Sequence, residues 1–482
     1  MTGRVLLAGD RSSSGKTTIV AGLLSALCSR GLSVQPFKVA MDYIDPSYHT
    51  MITGRFCRNL DGYVMPEQSI REVFDYGSAG ADISIVEGVR GLYEGFDGDI
   101  GSTAQIAKLL SCPVIFVVDV RSITRSAAAL VKGYRDFDPL VQMKGVILNK
   151  VGGERHAEKA RREIERYAKV PVLGVIPRDA DMQLSMRHLG LVPAMEGERR
   201  HSGFSDRLDA VRRIVEQGLD IGRILEIARQ AEPLPPVEPD IYRKSESGAG
   251  LRIGVALDEA FNFYYRENLE LFELAGAEVV PFSPVHDSRL PDVDGIYIGG
   301  GYPELYAPEL SENESMRRSI LDGHDRSMPI YAECGGLMYM ARHVEWSEDE
   351  QVSDRRRLGR SEEGCKAPAP GQAYPMVGLV PGIARRGSRR IVSYVSGGFE
   401  ADCPIGRKGE IFRGHEFHHS EMVMDPGARV EYAMLLDRGY GICNGRDGIL
   451  NGSLIANYVH LHSASYRGFP ARFMESCLDA KI

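Results

Sequence analysis

The chain has 482 residues, a length that exceeds one ordinary hydrophobic core and predicts two to three domains. Apolar residues make up 43% of the chain and charged residues 26%, as in soluble globular proteins, and the net charge of -8 argues against electrostatic nucleic-acid binding. The eight cysteines include no C-x-x-C pair, which favours a reducing compartment over disulfides or a zinc site. We find no signal peptide and no membrane-spanning apolar run, so we expect a cytoplasmic protein with no membrane or nucleic-acid partner.

A phosphate-binding motif lies near the N-terminus. The apolar run Val5-Leu6-Leu7 precedes a small-residue loop that ends in Gly-Lys-Thr-Thr, and a helix-like pattern follows it. This order is typical of a loop whose backbone N–H groups and lysine bind phosphate oxygens, while the first threonine reaches Mg²⁺. Five residues, rather than the common four, separate the two glycines. The candidate nucleotide-binding residues are Gly9, Ser14, Gly15, Lys16, Thr17 and Thr18.

The first third of the chain alternates short apolar runs with helix-like patterns. The apolar runs are Val5–Leu7, Val34–Phe37, Ile83–Val86, Val114–Val118, Val146–Leu148 and Val172–Val175, and the helix candidates include Thr103–Leu110, Ile123–Tyr134 and Glu154–Tyr167. Continuous apolar strands separated by helices predict a parallel sheet covered on both faces. Ligands bind such sheets at the carboxyl ends of the strands.

Acidic residues follow the second and third of these strands, in the segments 38–49 and 87–97. Carboxylates beside a phosphate loop suit Mg²⁺, which prefers oxygen ligands. We therefore predict that Thr17, Asp45 and Glu87 bind Mg²⁺. The alternative is that Asp42 and Asp45 only shape the turn at Tyr43-Ile44-Asp45-Pro46.

Two further polar residues end strands of the same sheet. Asn149 closes the Val146–Leu148 run, at a place where a phosphate-loop protein often contacts the purine edge, although asparagine is also an ordinary turn residue. Asp119 closes the Val114–Val118 run, where it either supports the metal or caps the next helix.

A linker separates the predicted domains. Helical patterns between Met182 and Gln230 lead to a Pro-rich and then Gly/Ser-rich stretch at 233–250. A second α/β series then begins, with strands expected at Arg252–Leu257, Glu278–Phe282, Gly295–Ile298 and Pro329–Ala332. We expect an ATP-binding domain at 1–232 and a second α/β domain at 251–482, with a charged surface insertion at about 345–374.

Cys334 has the sequence context of a catalytic nucleophile. It lies between a predicted strand and an apolar helix, in a sharp turn followed by Gly335 and Gly336, which exposes the sulfur to a helix N-terminus. The upstream loop 299–304 is rich in glycine and able to donate N–H groups to an oxyanion, and the downstream His460 is a candidate general base. The alternative is a buried structural cysteine.

The segment 414–421 is dense in His and Glu. It has the residue types of a Ni, Cu or Zn site, but polar clustering at a substrate pocket explains it equally well. We assign no metal to it.

Together these motifs resemble the cobyrinic acid a,c-diamide synthase family, glutamine-dependent ligases of tetrapyrrole biosynthesis. The resemblance spans the chain and depends on the following motifs: Gly15-Lys16-Thr17-Thr18, Asp42-Tyr43-Ile44-Asp45-Pro46, the segment 87–93, Gly300-Gly301-Tyr302-Pro303-Glu304, Glu333-Cys334-Gly335-Gly336, the segment 414–418 and Tyr458-Val459-His460. It implies a P-loop NTPase-type parallel-sheet domain, similar to dethiobiotin synthetase, followed by a class I glutamine amidotransferase-like α/β domain.

The resemblance also implies a mechanism. Cys334 and His460 would hydrolyse glutamine through a thioester, with the backbone N–H groups of Gly301 and Gly335 stabilising the oxyanion. In the first domain, ATP with Mg²⁺ would phosphorylate an acetate carboxylate, and ammonia would displace the phosphate. The family motifs place Asp42 and Glu94 among the catalytic residues of this domain. Class I amidotransferases usually carry a glutamate two residues after the histidine, where this chain has His462.

Within the family, the closest likeness is to the branch that amidates Ni-sirohydrochlorin in the biosynthesis of coenzyme F430, the cofactor of methanogenesis. This likeness depends on the amino-acid sequences of the segments 9–16, 48–62 and 260–265. The corrin branch, which amidates cobyrinate in cobalamin biosynthesis, is the alternative. Both substrates are metallo-tetrapyrrole polycarboxylates. A non-catalytic phosphate-loop switch of the partitioning type is an alternative from another class, and a homodimer is a candidate oligomeric state.

Overall fold

The computed structural model describes residues 3–179, 201–346 and 371–481. These residues form two compact units, and the chain passes from the first to the second after Glu238. Each unit contains its own sheet. None of the helices in the described ranges is both long enough and apolar enough to cross a membrane.

The first unit contains a seven-stranded parallel sheet with the order β3-β2-β4-β1-β5-β6-β7. The strands are β1 (Gly3–Gly9), β2 (Val34–Val39), β3 (Arg58–Leu60), β4 (Ile83–Glu87), β5 (Val114–Asp119), β6 (Met143–Val151) and β7 (Val172–Pro177). The helices are α1 (Lys16–Cys28), α2 (Ile44–Thr53), α3 (Glu67–Ser78), α4 (Thr103–Leu109), α5 (Arg125–Phe137), α6 (Glu154–Tyr167), α7 (His201–Gly218) and α8 (Ile221–Arg229).

Apolar strands form the centre of this sheet because both of their faces are covered. Every residue of β2, β4 and β5 is buried. The parallel sheet predicted from the apolar runs is confirmed, and each of the six runs lies within a strand. The short edge strand β3 was not predicted, because Arg58-Asn59-Leu60 has no apolar run. Of the helical segment predicted after Met182, residues 180–200 lie outside the described ranges, and α7 and α8 form its remainder.

The second unit begins with the predicted α/β series. Its elements are β8 (Arg252–Ala256), β9 (Phe261–Phe263), α9 (Arg266–Leu274), β10 (Glu278–Phe282), β11 (Gly295–Ile298), β12 (Gly300–Gly301), a 3-10 helix (Pro303–Tyr306), α10 (Ala307–Glu312), α11 (Glu314–Asp325), β13 (Ile330–Glu333) and α12 (Gly335–Met340). Strands β10, β8, β11 and β13 are parallel neighbours in that order.

After α12 the alternation of strands and helices ends. The chain forms β14 (Ala341–Trp346), β15 (Gln372–Pro375), β16 (Val380–Phe399), β17 (Ile411–Met424), β18 (Glu431–Arg438), β19 (Arg446–Asn451), β20 (Leu454–Asn457), β21 (His460–Leu461) and α13 (Gly468–Asp479). Most of these strands pair antiparallel, whereas β20 joins β13 in parallel. The α/β class is correct for this unit, but the expected rhythm does not continue to the C-terminus. The centre of the proposed insertion, 347–370, lies outside the described residues.

Candidate active sites

The phosphate loop of the first unit connects β1 to α1. Two of its glycines lie in close contacts: a Cβ atom at Gly9 would lie 2.3 Å from Ser14 Oγ and one at Gly15 would lie 2.1 Å from Asn149 Nδ2, so these side chains would have to move. Gly15 also has φ of 93°, in the left-handed region that glycine adopts without strain. The loop therefore has the small residues that close approach to a ligand needs.

Lys16 begins α1 and is 7% exposed. Its ammonium donates to the backbone carbonyls of Arg90 and Arg11, so it joins the phosphate loop to the loop that follows β4. Burial lowers the pKa of Lys16 to about 8. Thr18 is buried in the first turn of the helix, and Ser14 Oγ is buried with no hydrogen-bond partner among the described residues.

A cluster of charged groups lies at the carboxyl ends of β2 and β4. Lys38 Nζ lies 2.5 Å from Asp45 Oδ2 and 2.8 Å from Glu87 Oε1. Thr17 Oγ1 donates to the same Glu87 oxygen at 2.6 Å and lies 3.4 Å from Asp45 Oδ2. The structure therefore brings Thr17, Asp45 and Glu87 together, with Lys38 at the centre of the cluster.

Lys38 and His49 hold Glu87 in its charged form. His49 Nε2 lies 2.5 Å from Glu87 Oε2, and both side chains are fully buried. Burial alone would raise the pKa of Glu87, but the charge of Lys38 and the hydrogen bond from His49 lower it below its usual range. The pKa of Asp42 is raised to about 6, mainly by burial and then by the charge of Asp45. Lys38 and His49 are site residues that our sequence reasoning did not assign; a lysine and a histidine flanking the predicted acidic cluster are the signal that could have found them.

The oxygen atoms of this cluster suit Mg²⁺. Thr17 supplies a hydroxyl, and Asp45 and Glu87 supply carboxylates, which together match a hard cation that also takes ligands from substrate phosphates. The Lys38 ammonium lies against both carboxylates, so a metal ion would share these oxygens with Lys38 or displace it from them. These residues fit the predicted metal.

Three other predicted residues have different surroundings. Asp42 lies at the edge of the cluster, with Oδ2 4.0 Å from Lys38 Nζ. Glu94 is exposed on the loop after β4, and its backbone N–H donates to the Gly91 carbonyl. Asn149 donates from Nδ2 to the Ser14 carbonyl at 2.7 Å, so its amide contacts the phosphate loop itself.

In the second unit, Cys334 lies in the turn between β13 and α12. Its backbone has φ of 51° and ψ of −94°, an unusual conformation for a residue with a side chain. The side chain is 5% exposed, and Sγ lies 3.8 Å from the Phe417 carbonyl oxygen. This is the strand–turn–helix geometry expected of a nucleophile elbow.

His460 lies at the start of β21, near enough to Cys334 for the cysteine to raise the pKa of the imidazole. Its hydrogen-bond partner is Glu333, whose Oε1 lies 2.7 Å from His460 Nδ1. Burial alone would lower the pKa of His460, but the charges of Glu333 and Cys334 raise it to about 10. Our sequence reasoning missed Glu333. A glutamate that ends an otherwise apolar strand is the signal for it, because a buried carboxylate needs a partner.

The predicted oxyanion glycines lie together beside this histidine. A Cβ atom on Gly335 would come within 2.9 Å of the Gly301 backbone nitrogen, and one on Gly300 would lie 2.8 Å from His460 Cε1. The backbone of Gly336 also donates to the Gly299 carbonyl at 3.0 Å. The glycine-rich loop, the turn of Cys334 and His460 therefore form one site.

The His/Glu segment 414–421 runs along β17 next to this site. The His415 ring stacks on His460 with centroids 4.8 Å apart, and Glu416 accepts hydrogen bonds from the backbone of Tyr440 and Gly441. His419 lines a concave surface with Arg386, Gly387, Ser388, Arg389 and Arg390. Within the described part of the chain, no group of three or more His, Cys, Asp or Glu side chains is arranged to hold a metal ion.

Comparison with known proteins gives the family. Residues 5–192 match the model of the CobQ/CobB/MinD/ParA nucleotide binding domain, and residues 252–468 match the CobB/CobQ-like glutamine amidotransferase domain. A protein of Methanosarcina acetivorans named cobyrinate a,c-diamide synthase is 56% identical, over 98% of this chain and 95% of the relative. Proteins of the same name are 43% identical in Methanothermobacter thermautotrophicus, over 99% and 100%, and 40% identical in Listeria innocua, over 95% and 96%.

These matches cover both units of the chain and confirm the predicted fold, a P-loop NTPase-type domain followed by a glutamine amidotransferase domain. The chain belongs to the cobyrinate a,c-diamide synthase family of amide-forming ligases that use glutamine.

Proposed function

We propose that this protein uses ATP and glutamine to convert the a and c acetate carboxylates of a metallo-tetrapyrrole into amides, with Ni-sirohydrochlorin as its substrate. The observation that carries the proposal is the presence of two complementary sites in one chain. One is a phosphate loop beside a carboxylate cluster, and the other is a cysteine beside a charged histidine. An amide ligase needs both, whereas a partitioning-type switch needs only the first.

In the second unit, Cys334 attacks the side-chain amide carbon of glutamine, and His460 passes the thiol proton to the departing ammonia. The developing oxyanion receives hydrogen bonds from the backbone N–H groups of Gly301 and Gly335. Water then cleaves the thioester and releases glutamate. The strained backbone of Cys334 and the raised pKa of the neighbouring His460 support these roles.

In the first unit, a substrate carboxylate oxygen attacks the γ-phosphorus of ATP, and ADP leaves. Ammonia then attacks the acyl phosphate and displaces phosphate, which forms the amide. Lys16 and the loop from Gly9 to Thr18 bind the phosphates, and Lys38 offsets the charge that develops during transfer. Thr17, Asp45 and Glu87 would hold Mg²⁺, which neutralises phosphate charge when it is bound.

Asp42, Glu94 and Asn149 remain proposed site residues with narrower roles. Asp42 is near enough to Lys38 to tune the charge of the cluster, and Glu94 is exposed where it can meet a substrate. Asn149 supports the phosphate loop through Ser14.

We also propose domains at 1–232 and 251–482, joined by the linker 233–250. The chain passes between the two compact units after Glu238, which supports a linker there.

Cobyrinate is the second candidate substrate, because the relatives of 39–56% identity carry that name. The amino-acid sequences of the segments 9–16, 48–62 and 260–265 support Ni-sirohydrochlorin as the substrate. Both macrocycles present acetate carboxylates on a tetrapyrrole rim, so the two proposals share one chemistry and differ in the ring and its metal.

The test is amide formation by the purified full chain with ATP, Mg²⁺ and glutamine, on Ni-sirohydrochlorin and on cobyrinate in parallel. We expect two amidations by mass spectrometry, with a higher kcat/KM on the nickel macrocycle. A higher value on cobyrinate would replace the first candidate by the second. ATP hydrolysis without an amide on either macrocycle would overturn the proposal and favour a switch.

A further inference from the structure

The histidine of the glutaminase site is held by a carboxylate from an unexpected place in the chain. We propose that Glu333, the residue immediately before the nucleophile, is the positioning residue that fixes His460 with Nδ1–H toward its carboxylate and Nε2 toward Cys334. The proposal rests on glutamine hydrolysis at Cys334, but it does not depend on which tetrapyrrole is amidated.

Strand order brings the two residues together although they are 127 residues apart in the chain. Glu333 ends β13 and pairs in register with Asn457, the last residue of the parallel neighbour β20. His460 follows β20 after two residues, so both side chains lie at the same end of the sheet. Each is 1% exposed, and the separation of 2.7 Å is that of a charge-assisted hydrogen bond.

The second oxygen of Glu333 is held by neutral donors. The Tyr331 hydroxyl donates to Oε2 at 2.7 Å, the Tyr297 hydroxyl lies 3.3 Å from it, and the backbone N–H of Leu461 lies 3.4 Å away. The carboxylate therefore has one oxygen committed to these donors and the other aimed at the imidazole. Since Nδ1 is occupied by Glu333, Nε2 is the ring nitrogen that remains for Cys334.

His462, which occupies the place where class I enzymes usually carry the acid, belongs to a separate pair. Its Nε2 lies 3.3 Å from Glu267 Oε2 without the geometry of a hydrogen bond, and its Nδ1 accepts the backbone N–H of Ala464 at 3.0 Å. Both ring nitrogens of His462 therefore make these contacts with groups other than His460. The buried pair Glu267–His462 therefore serves as a control for the buried pair Glu333–His460.

The decisive variant is Glu333→Gln, which keeps the size of the side chain. The amide oxygen is expected to remain toward the three donors that hold Oε2, so the amide NH₂ group would face His460 Nδ1. Nδ1 would then have to accept, and the ring proton would move to Nε2, where it blocks acceptance of the thiol proton. A carboxylate that selects the tautomer of a catalytic imidazole acts in this way in serine proteases.

We expect Glu333→Gln to lower kcat for glutamine hydrolysis by about 10²- to 10⁴-fold, the range for loss of a functional general base, with little change in KM. Amide formation from free ammonia should remain at the level of the unmodified chain, which also reports that the protein is folded. Glu267→Gln, the matched control, should retain glutamine hydrolysis. The reaction of Cys334 with iodoacetamide, followed on its own peptide, should move to higher pH in Glu333→Gln alone, because an uncharged imidazole stabilises a thiolate less.

Equal losses in Glu333→Gln and Glu267→Gln, or an unchanged pH dependence of alkylation, would overturn the proposal and leave Glu333 a structural residue. Tyr331→Phe provides a second variant if Glu333→Gln does not fold. It removes one donor to Oε2, and we expect a smaller loss of kcat with the same selectivity for glutamine over ammonia. A chain that hydrolyses no glutamine before mutation would contradict the proposed function instead, so the two failures are distinguishable.

Discussion

Each unit places a buried glutamate at the end of a parallel strand and a histidine against it, but the surroundings of the two pairs differ. Glu87 shares its oxygens with Lys38, His49 and Thr17. Glu333 shares its oxygens with His460 and neutral donors. The first environment gathers an ammonium, an imidazole and a hydroxyl around a carboxylate, which suits phosphate chemistry. The second directs one carboxylate at one imidazole, which suits proton transfer.

The comparison teaches that a strand-end glutamate does not by itself specify a reaction. Both carboxylates avoid the cost of an unpaired buried charge, yet they do so through different partners. Lys38 is close enough to Asp45 and Glu87 for its charge to be shared. The pKa of His460 is raised by the charges of Glu333 and Cys334, and Glu333 is the carboxylate that its Nδ1 contacts.

The variant with the largest expected effect distinguishes the activities of the two sites. Cys334→Ala removes the nucleophile, so amide formation from glutamine should be lost while amide formation from free ammonia remains. The measurement is product formation with each nitrogen source at equal ATP and tetrapyrrole. Loss of both activities would show that the first unit also needs Cys334. It would contradict the assignment of glutamine hydrolysis to one unit and amide formation to the other.

The converse variant is Glu87→Gln, which leaves Lys38 with Asp45 as its close carboxylate partner and removes a metal ligand candidate. We expect amide formation from both nitrogen sources to fall by about 10²-fold or more, the scale of one lost electrostatic contact in a transition state. Glutamine hydrolysis measured in the same preparation serves as its control. Retention of full amidation would remove Glu87 from the proposed site.

The Glu333–His460 pair predicts a pH dependence of stability. The pKa of His460 is about 10 in the folded chain against an ordinary value of 6.5, so the folded state binds the proton more tightly. This stabilisation is fully present below pH 6.5 and is lost as the pH rises through about 10. Thermal unfolding across that range should show a decline that is shallower in Glu333→Gln; parallel curves would contradict the assignment.

The smallest expected effect concerns Asn149. Because its amide donates to the Ser14 carbonyl, Asn149→Ala should loosen the phosphate loop and raise KM for ATP by up to about tenfold, the value of one hydrogen bond. The variant should weaken ATP and GTP alike. A change confined to one nucleotide would instead support contact with the purine edge.

Local sequence patterns predicted much of the fold and part of both sites. The apolar runs located the strands of the first sheet, and the small residues before Lys16 located the phosphate loop. The Gly-flanked Cys334 indicated a strand–turn–helix unit, which the structure contains. Such features depend on neighbours a few residues apart, so composition and periodicity record them.

Strand pairing decided the remainder. The antiparallel strands after α12 depend on partners far along the chain, and β16 pairs with both β17 and β18. The family pattern predicts an acid two residues after the general base, where this chain has His462, so the sequence left the partner of His460 unassigned. The sheet brings Glu333 to His460 instead.

The amino-acid sequence by itself determined the two kinds of domain, the phosphate loop and the candidate nucleophile. Only the tertiary structure decided which buried charges meet: Lys38 with Asp45 and Glu87, and Glu333 with His460. The physical reason is that helices, turns and loops are selected by local energies. The Lys38–Glu87 and Glu333–His460 pairs form because strand order brings residues that are distant in the chain to the same edge of a sheet.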